Sequence, residues 1–307
     1  AGGKALTDQY EAQLPAIDSF NALYGHNVGT NSYKENSNQG FDFYAKAAKE
    51  YAKDTGKSTA EFMQLSGNLS RYGISNADAA MRRTQDDIKW ANYTGGNLDL
   101  IQQITGMSSR YGMKGDAMQQ AYAGVRVTGL AKGQTDEFLN SMLRIMQEGI
   151  SRGFVLGADE IAGNMNMLYK LSGNSALWQG ENGASRLSQM NNAVSSATAL
   201  ESTDDMIVFG VAQQMLDGVS VEDRQKLFGI ENATGGYTDI LQLMEHGIND
   251  QMLKGIFDTV GQLDGQDANS LTERFKSIFG VGSYSDAAAI TGMYNTYQKE
   301  KENNPDF

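Results

Sequence analysis

Few residues in this chain have types and spacing that could do chemistry. There are two histidines, His26 and His246, and no Cys. Two imidazoles without thiolates are too few for a transition-metal site, and no His-Glu-x-x-His spacing occurs. No metal or cofactor is therefore expected. The absence of Cys also excludes a thiol nucleophile and a disulfide framework. One Gly-x-Ser-x-Gly string is present, Gly149-Ile150-Ser151-Arg152-Gly153. A hydrolase elbow needs a strand before the serine and a helix after it. Here a helical pattern precedes, so the string reads as a helix exit. Gly280-Val281-Gly282 lacks the third glycine and the preceding strand of a dinucleotide site. Glu201, followed by Ser202, is the best carboxylate candidate, because a glycosidase needs only Asp or Glu in a cleft. Ser202 has a simpler role as a helix cap with Asp205. His246, late in a helical pattern, is expected to favour the negative end of the helix dipole.

The elements that must position these residues are helices. Ser58-x-x-Glu61, Ser75-x-x-Asp78, Ser202-x-x-Asp205, Ser220-x-x-Asp223 and Ser270-x-x-Glu273 each head an apolar-periodic run. A hydroxyl there accepts from a free N–H of the first turn, and the carboxylate bonds back. Gly73, Gly112, Gly133, Gly153, Gly173, Gly229 and Gly280 each follow such a run, where glycine closes a helix without a Cβ penalty. These signals predict helices near 7–23, 40–54, 59–71, 76–92, 98–110, 115–129, 135–151, 158–172, 183–199, 203–217, 221–228, 238–248, 250–262, 270–279 and 285–300. Met206-Ile207-Val208-Phe209 could pass for a strand. It lies between a cap signal and the helically spaced Val211 and Met215, so it is read as helix. The expected fold is all-α, a multi-helical array of glycine-capped hairpins, either internally duplicated or a solenoid-like bundle.

Composition agrees. Of 307 residues 35 are Gly and only 2 are Pro, so breaks fall between helices and proline does not spoil them. The net charge of −12 and the single basic pair Arg82-Arg83 exclude a basic stripe for sequence-specific nucleic-acid binding. No apolar run reaches the ~18 residues of a membrane span. No leader pattern opens the chain and no initiator Met is present, which predicts a segment processed from something longer. The 15 Met residues read first as core filling and second as a helix-groove surface. The nearly apolar-free stretch 25–40 reads as a linker, giving three expected parts: 1–40, 41–175 and 176–307.

Two repetitions are visible. Thr94-Gly95-Gly96-Asn97-Leu98-Asp99 returns as Thr234-Gly235-Gly236-Tyr237-Thr238-Asp239, which suggests a duplication of roughly 92–170 as 232–299. Ser70-Arg71-Tyr72-Gly73 returns as Ser109-Arg110-Tyr111-Gly112, with a looser copy at Ser151-Arg152-Gly153-Phe154. That spacing of about 40 residues suits a helix–turn–helix repeat. Tyr72, Tyr111 and Phe154 are then either covers over hairpin ends or a partner-binding row.

The segments 69–85 (LSRYGISNADAAMRRTQ), 105–125 (TGMSSRYGMKGDAMQQAYAGV) and 171–194 (LSGNSALWQGENGASRLSQMNNAV) repeat a unit of helix, Gly, Ser or Asn cap, then Asp-Ala or a similar start. In this the chain, over roughly 59–300, resembles the tail-length tape measure proteins of tailed bacteriophages and phage-like elements. The long heptad stretches of the ruler itself are missing, so the likeness is to a globular segment. The resemblance implies a non-enzymatic structural role in tail length determination, tube assembly and passage through the tube. It implies tail-tube and tail-tip or baseplate partners, with self-association as a further mode. It implies a place in the virion tail, assembled in the bacterial host cytoplasm. Two alternatives remain. The Glu201-Ser202 pair is similar to the catalytic pair of soluble lytic transglycosylases, but the Gly-Leu-Met-Gln-type stretch that follows it there is missing. The 40-residue echo alternatively fits an intracellular α-solenoid adaptor.

Overall fold

The structure, a computed structural model, describes residues 44–74, 76–112, 118–119, 123, 134–153, 156–264 and 267–304. The predicted helix 7–23, the stretch 25–40, His26, Gly133, Phe154 and most of 115–129 lie outside the described residues. Contacts divide the chain between Met118 and Gln119 into two compact units. This division falls inside the part expected at 41–175, because the helices on either side of 175 pack on one another.

The first unit holds α1 (44–52), α2 (Thr59–Asn68), a 3-10 turn (Leu69–Tyr72), α3 (Ala77–Thr94) and α4 (Leu98–Arg110). Its core joins Tyr44, Phe62, Met63, Leu69, Met81 and Ile88. Ser58 caps α2 in a reciprocal box with Glu61, as the spacing predicts. On α3 the cap is Asn76, whose side chain accepts from the Ala79 N–H at 3.0 Å; the expected Ser75 lies outside the described residues. Arg82, from the one basic pair, binds Asp78 at 2.6 Å on an exposed face.

The second unit holds α5 (Thr135–Ser151), α6 (Ala158–Leu171), a 3-10 turn (Ala176–Trp178), α7 (Gly180–Ser196), a 3-10 turn (Ala197–Ala199) and α8 (Thr203–Leu216). It continues through α9 (Val221–Phe228), α10 (Tyr237–Glu245), α11 (Asp250–Asp264), α12 (Ala268–Ile278) and α13 (Tyr284–Asn303). Helices α5, α6 and α7 pack mutually, α8 packs on α10, α11 and α12, and α13 returns onto α6. Phe257, Phe275, Phe279 and Tyr294 form an aromatic cluster with ring centroids 5.2–6.4 Å apart. Met142, Met146 and Met165 are buried, so these methionines fill core. Residues 206–209 are helical, inside α8.

All described residues in regular structure are helical, and the fold is all-α. Every predicted glycine exit that is described has positive φ, from 60° at Gly280 to 91° at Gly153. Ser202 forms a full capping box and Ser220 caps α9. For α12 the cap is Asp267 instead of Ser270, which sits one turn in and donates its N–H to Asp267. Ser283 caps α13, a signal of the same kind that the sequence reading passed over.

Candidate functional site

The turn between α10 and α11 is fixed from two sides. His246 is the C-cap of α10, and Gly247 follows at φ 84°. A Cβ on Gly247 would stand 2.5 Å from the Asn191 amide oxygen, so glycine is required for the approach. Asn191 of α7 accepts from the Ile248 N–H at 2.9 Å, and Asn164 of α6 donates to the Ile248 carbonyl at 2.9 Å. Both main-chain polar groups of Ile248 are thus satisfied inside the core.

This clamp holds His246 in the wall of a cavity of about 680 Å³. Glu160 from the first turn of α6, Leu227 and Phe228 from the end of α9, and Glu231 from the loop beyond complete the wall with α10. No Lys or Arg lines it among the described residues. Burial pushes the Glu160 carboxyl up to about 7; the Asp159 carboxylate adds to the rise, and a bond from the Gly157 N–H opposes it. Glu160 is nevertheless exposed as a residue. It lies deep among protein atoms yet opens to the cavity, so the upward direction stands while water in the cavity tempers its size. Burial likewise holds His246 below the usual imidazole range, against a bond to the Phe228 carbonyl and attraction from Glu231. A neutral imidazole gains little from the helix dipole, so the expected dipole role is not the main feature of His246.

A second groove, of about 330 Å³, lies nearer the N-terminal end of α9. Phe209 of α8 and Tyr237 of α10 form its aromatic wall, with ring centroids 5.4 Å apart, and Gln213 and Asp217 edge it. Between the two depressions α9 is tethered by Arg224. Its guanidinium donates to Asp239 at 2.8 Å, to the Leu216 carbonyl at 3.1 Å and to the Val219 carbonyl at 3.2 Å. Asp239 also accepts from the Thr234 and Gly235 N–H groups at 2.9 and 2.8 Å. Burial alone would raise the Asp239 carboxyl, but these donors hold it below the usual carboxylate range.

The predicted site residues are not brought together in this region. Glu201 is exposed in the loop before α8, and its N–H donates to Asp205 at 2.8 Å as part of the cap. Ser151 sits in the last turn of α5 and donates to the Glu148 carbonyl at 2.7 Å, as a helix exit does. The Tyr72 ring packs against Gly106 of α4, where an added Cβ would come within 2.4 Å of it. Tyr111 is exposed, with the Arg110 guanidinium 5.8 Å from its ring centre. Phe154 lies outside the described residues. The Thr-Gly-Gly echo is a shared turn: Gly95 and Gly235 have φ 73° and 81°, and each threonine hydroxyl accepts from the second glycine's N–H, at 3.1 and 3.3 Å. The copies part at the aspartate, exposed at Asp99 and fully buried at Asp239.

Sequence reasoning passed over Glu160, Arg224 and Asp239. Arg224 and Asp239 are 15 positions apart on different helices, so no helical spacing joins them. Compared with protein families, with curated proteins and with solved structures, the chain matches none. Among the described residues no cluster of His, Cys, Asp or Glu could hold a metal ion. Among them, too, no helix is long and apolar enough to cross a membrane.

Proposed function

We propose that this chain is a non-enzymatic helical module resembling a segment of a tail-length tape measure protein, working in tube assembly in the tail of a phage or phage-like particle. The observation that carries this reading is the nature of the repeated junctions. The strings that carry the resemblance are helix exits and entries: Gly73 then the Asn76 cap, Gly112 after α4, and Gly173 before α7. Short helices joined by left-handed glycine turns, with no disulfide, are suited to opening one after another during passage through a tube. Its partners on this reading are tail-tube and tail-tip or baseplate proteins, met in the host cytoplasm and retained in the virion tail.

The test has two arms. Mass spectrometry of purified particles from the source strain should find peptides of this chain. The purified chain should also co-sediment with recombinant tail-tube or tail-tip protein from the same locus. Absence from particles together with failure in both binding assays would sink the proposal.

A further inference from the structure

Helix α9 buries none of its residues. It also packs only sparsely on the other helices, and Arg224 is its main tether. At 100° per residue, Val221, Arg224, Leu227 and Phe228 fall within a sector of about 120°. This stripe is apolar apart from the tether, and it is open: Val221 is 43% and Leu227 68% exposed. Met206 and Tyr237, on the flanking helices, are 61% and 52% exposed. The stripe is continuous with both depressions. Val221 lies against the Gly235 turn beside Tyr237, and Leu227 lines the larger cavity. Solvent-exposed apolar residues scattered singly need no explanation, but a contiguous set beside two grooves does.

Charge indicates what would cover it. Residues 217–245 contain six acidic and two basic side chains, net −4 in 29 residues, against −12 for all 307. Arg224 is paired with Asp239 and Lys226 with Asp223. Asp217, Glu222, Glu231 and Glu245 have no ion-pair partner among the described residues. Some carboxylates elsewhere in the second unit are joined to cations, as at Arg186–Asp286 and Arg274–Asp204. An apolar stripe rimmed by uncompensated carboxylates disfavours a second copy of the same surface, because like charges would meet. It complements apolar side chains flanked by Lys or Arg.

We propose that the α8–α9–α10 face docks a basic, apolar-faced segment of another protein chain. Its apolar residues lie along Val221 and Leu227, with side chains entering the groove walled by Phe209 and Tyr237. Its cations meet Asp217, Glu231 and Glu245. This inference stands without the tail reading, since it rests on the exposed stripe and its charge.

The probe is a fluorescein-labelled synthetic helix of about 18 residues, Leu on one face and Lys on the other, titrated by anisotropy against the full chain. Its counterpart carries Glu for every Lys. The Leu/Lys peptide should saturate, and the Leu/Glu peptide should not bind. Leu227→Ser with Tyr237→Ser should weaken binding by at least about tenfold, and Glu231→Gln with Glu245→Gln by a similar factor. Leu263→Ser, at an exposed leucine outside this face, should leave it unchanged. All five substituted positions are exposed, and circular dichroism should confirm an unchanged fold. Equal binding to the parent and both double variants would mean non-specific attraction to an acidic protein and overturn the proposal. So would a failure of the parent chain to bind. A parent dimer that Leu227→Ser converts to monomer would show a second copy as the occupant, and would overturn it as well.

Discussion

Asp239 has no exposed surface, but only a thin layer covers it, close beneath the surface between α9 and α10. Its charge is tolerable because four donors surround it, and Arg224 is the only cation among them. Arg224→Met keeps the apolar stem, removes that cation and takes the guanidinium donor from the Val219 carbonyl, while the Leu216 carbonyl keeps the Val219 N–H. Urea unfolding should show a loss of about 3 kcal/mol, the lower end for a broken buried pair because the covering layer is thin. The folded carboxyl lies below its unfolded value, so its contribution is present above the unfolded value and is lost as pH falls through the folded one. Glu160 has the opposite sign. Its folded carboxyl titrates near 7 against 4.5 unfolded, so the unfolded chain releases its proton first and stability falls as pH rises across that window. Glu160→Gln should therefore melt with the parent at pH 4, below both values, and above it at pH 8, by about 2 °C or more. Equal melting at pH 8 would show that water in the cavity screens the carboxylate fully.

At the scale of the element, glycine has two distinct roles. Gly183, in the first turn of α7, faces the Trp178 main chain: an added Cβ would stand 2.4 Å from its carbonyl oxygen. Main chain cannot swing aside as a side chain can, so Gly183→Ala should cost about 2–3 kcal/mol. Gly163, inside α6, has no atom within 4 Å of such a Cβ. There alanine should gain about 0.5–1 kcal/mol, from helix propensity alone. Thermal melts of the two variants should move in opposite directions. This contrast marks what could be read beforehand. The described helix exits and the caps at Ser58, Ser202 and Ser220 were legible, because a left-handed glycine and a serine with its carboxylate act within four residues of each other. The cap of α12 was misplaced by one turn, since Asp267 and Ser270 both offer an oxygen at plausible spacing. The cavity was not legible. His246, Glu160 and the Asn164–Ile248–Asn191 clamp meet only through tertiary packing across up to 84 positions. Tyr72 and Tyr111 share a motif but not an environment, because only Tyr72 finds a glycine on the facing helix.

At the scale of the whole chain, each unit carries its own core and one of the two tryptophans, Trp90 on α3 and Trp178 before α7. The first unit, Ala1–Met118, is shorter than the second, Gln119–Phe307, and a shorter chain buries a smaller fraction of its surface on folding. The first unit should therefore unfold at lower urea, with a shallower dependence on denaturant. Fluorescence of two variants separates them cleanly. In Trp178→Phe the remaining signal is Trp90, in the first unit, while the substitution disturbs the second. In Trp90→Phe the signal is Trp178, wholly buried in the second unit, while the disturbance falls on the first. Each reporter thus reads the unit that was left intact. The Trp90 signal should change at lower urea than the Trp178 signal, and circular dichroism of the parent should span both transitions. Coincident midpoints and slopes from the two reporters would mean that the chain unfolds as one cooperative block. In that case the division between Met118 and Gln119 would describe packing density without marking an energetic boundary.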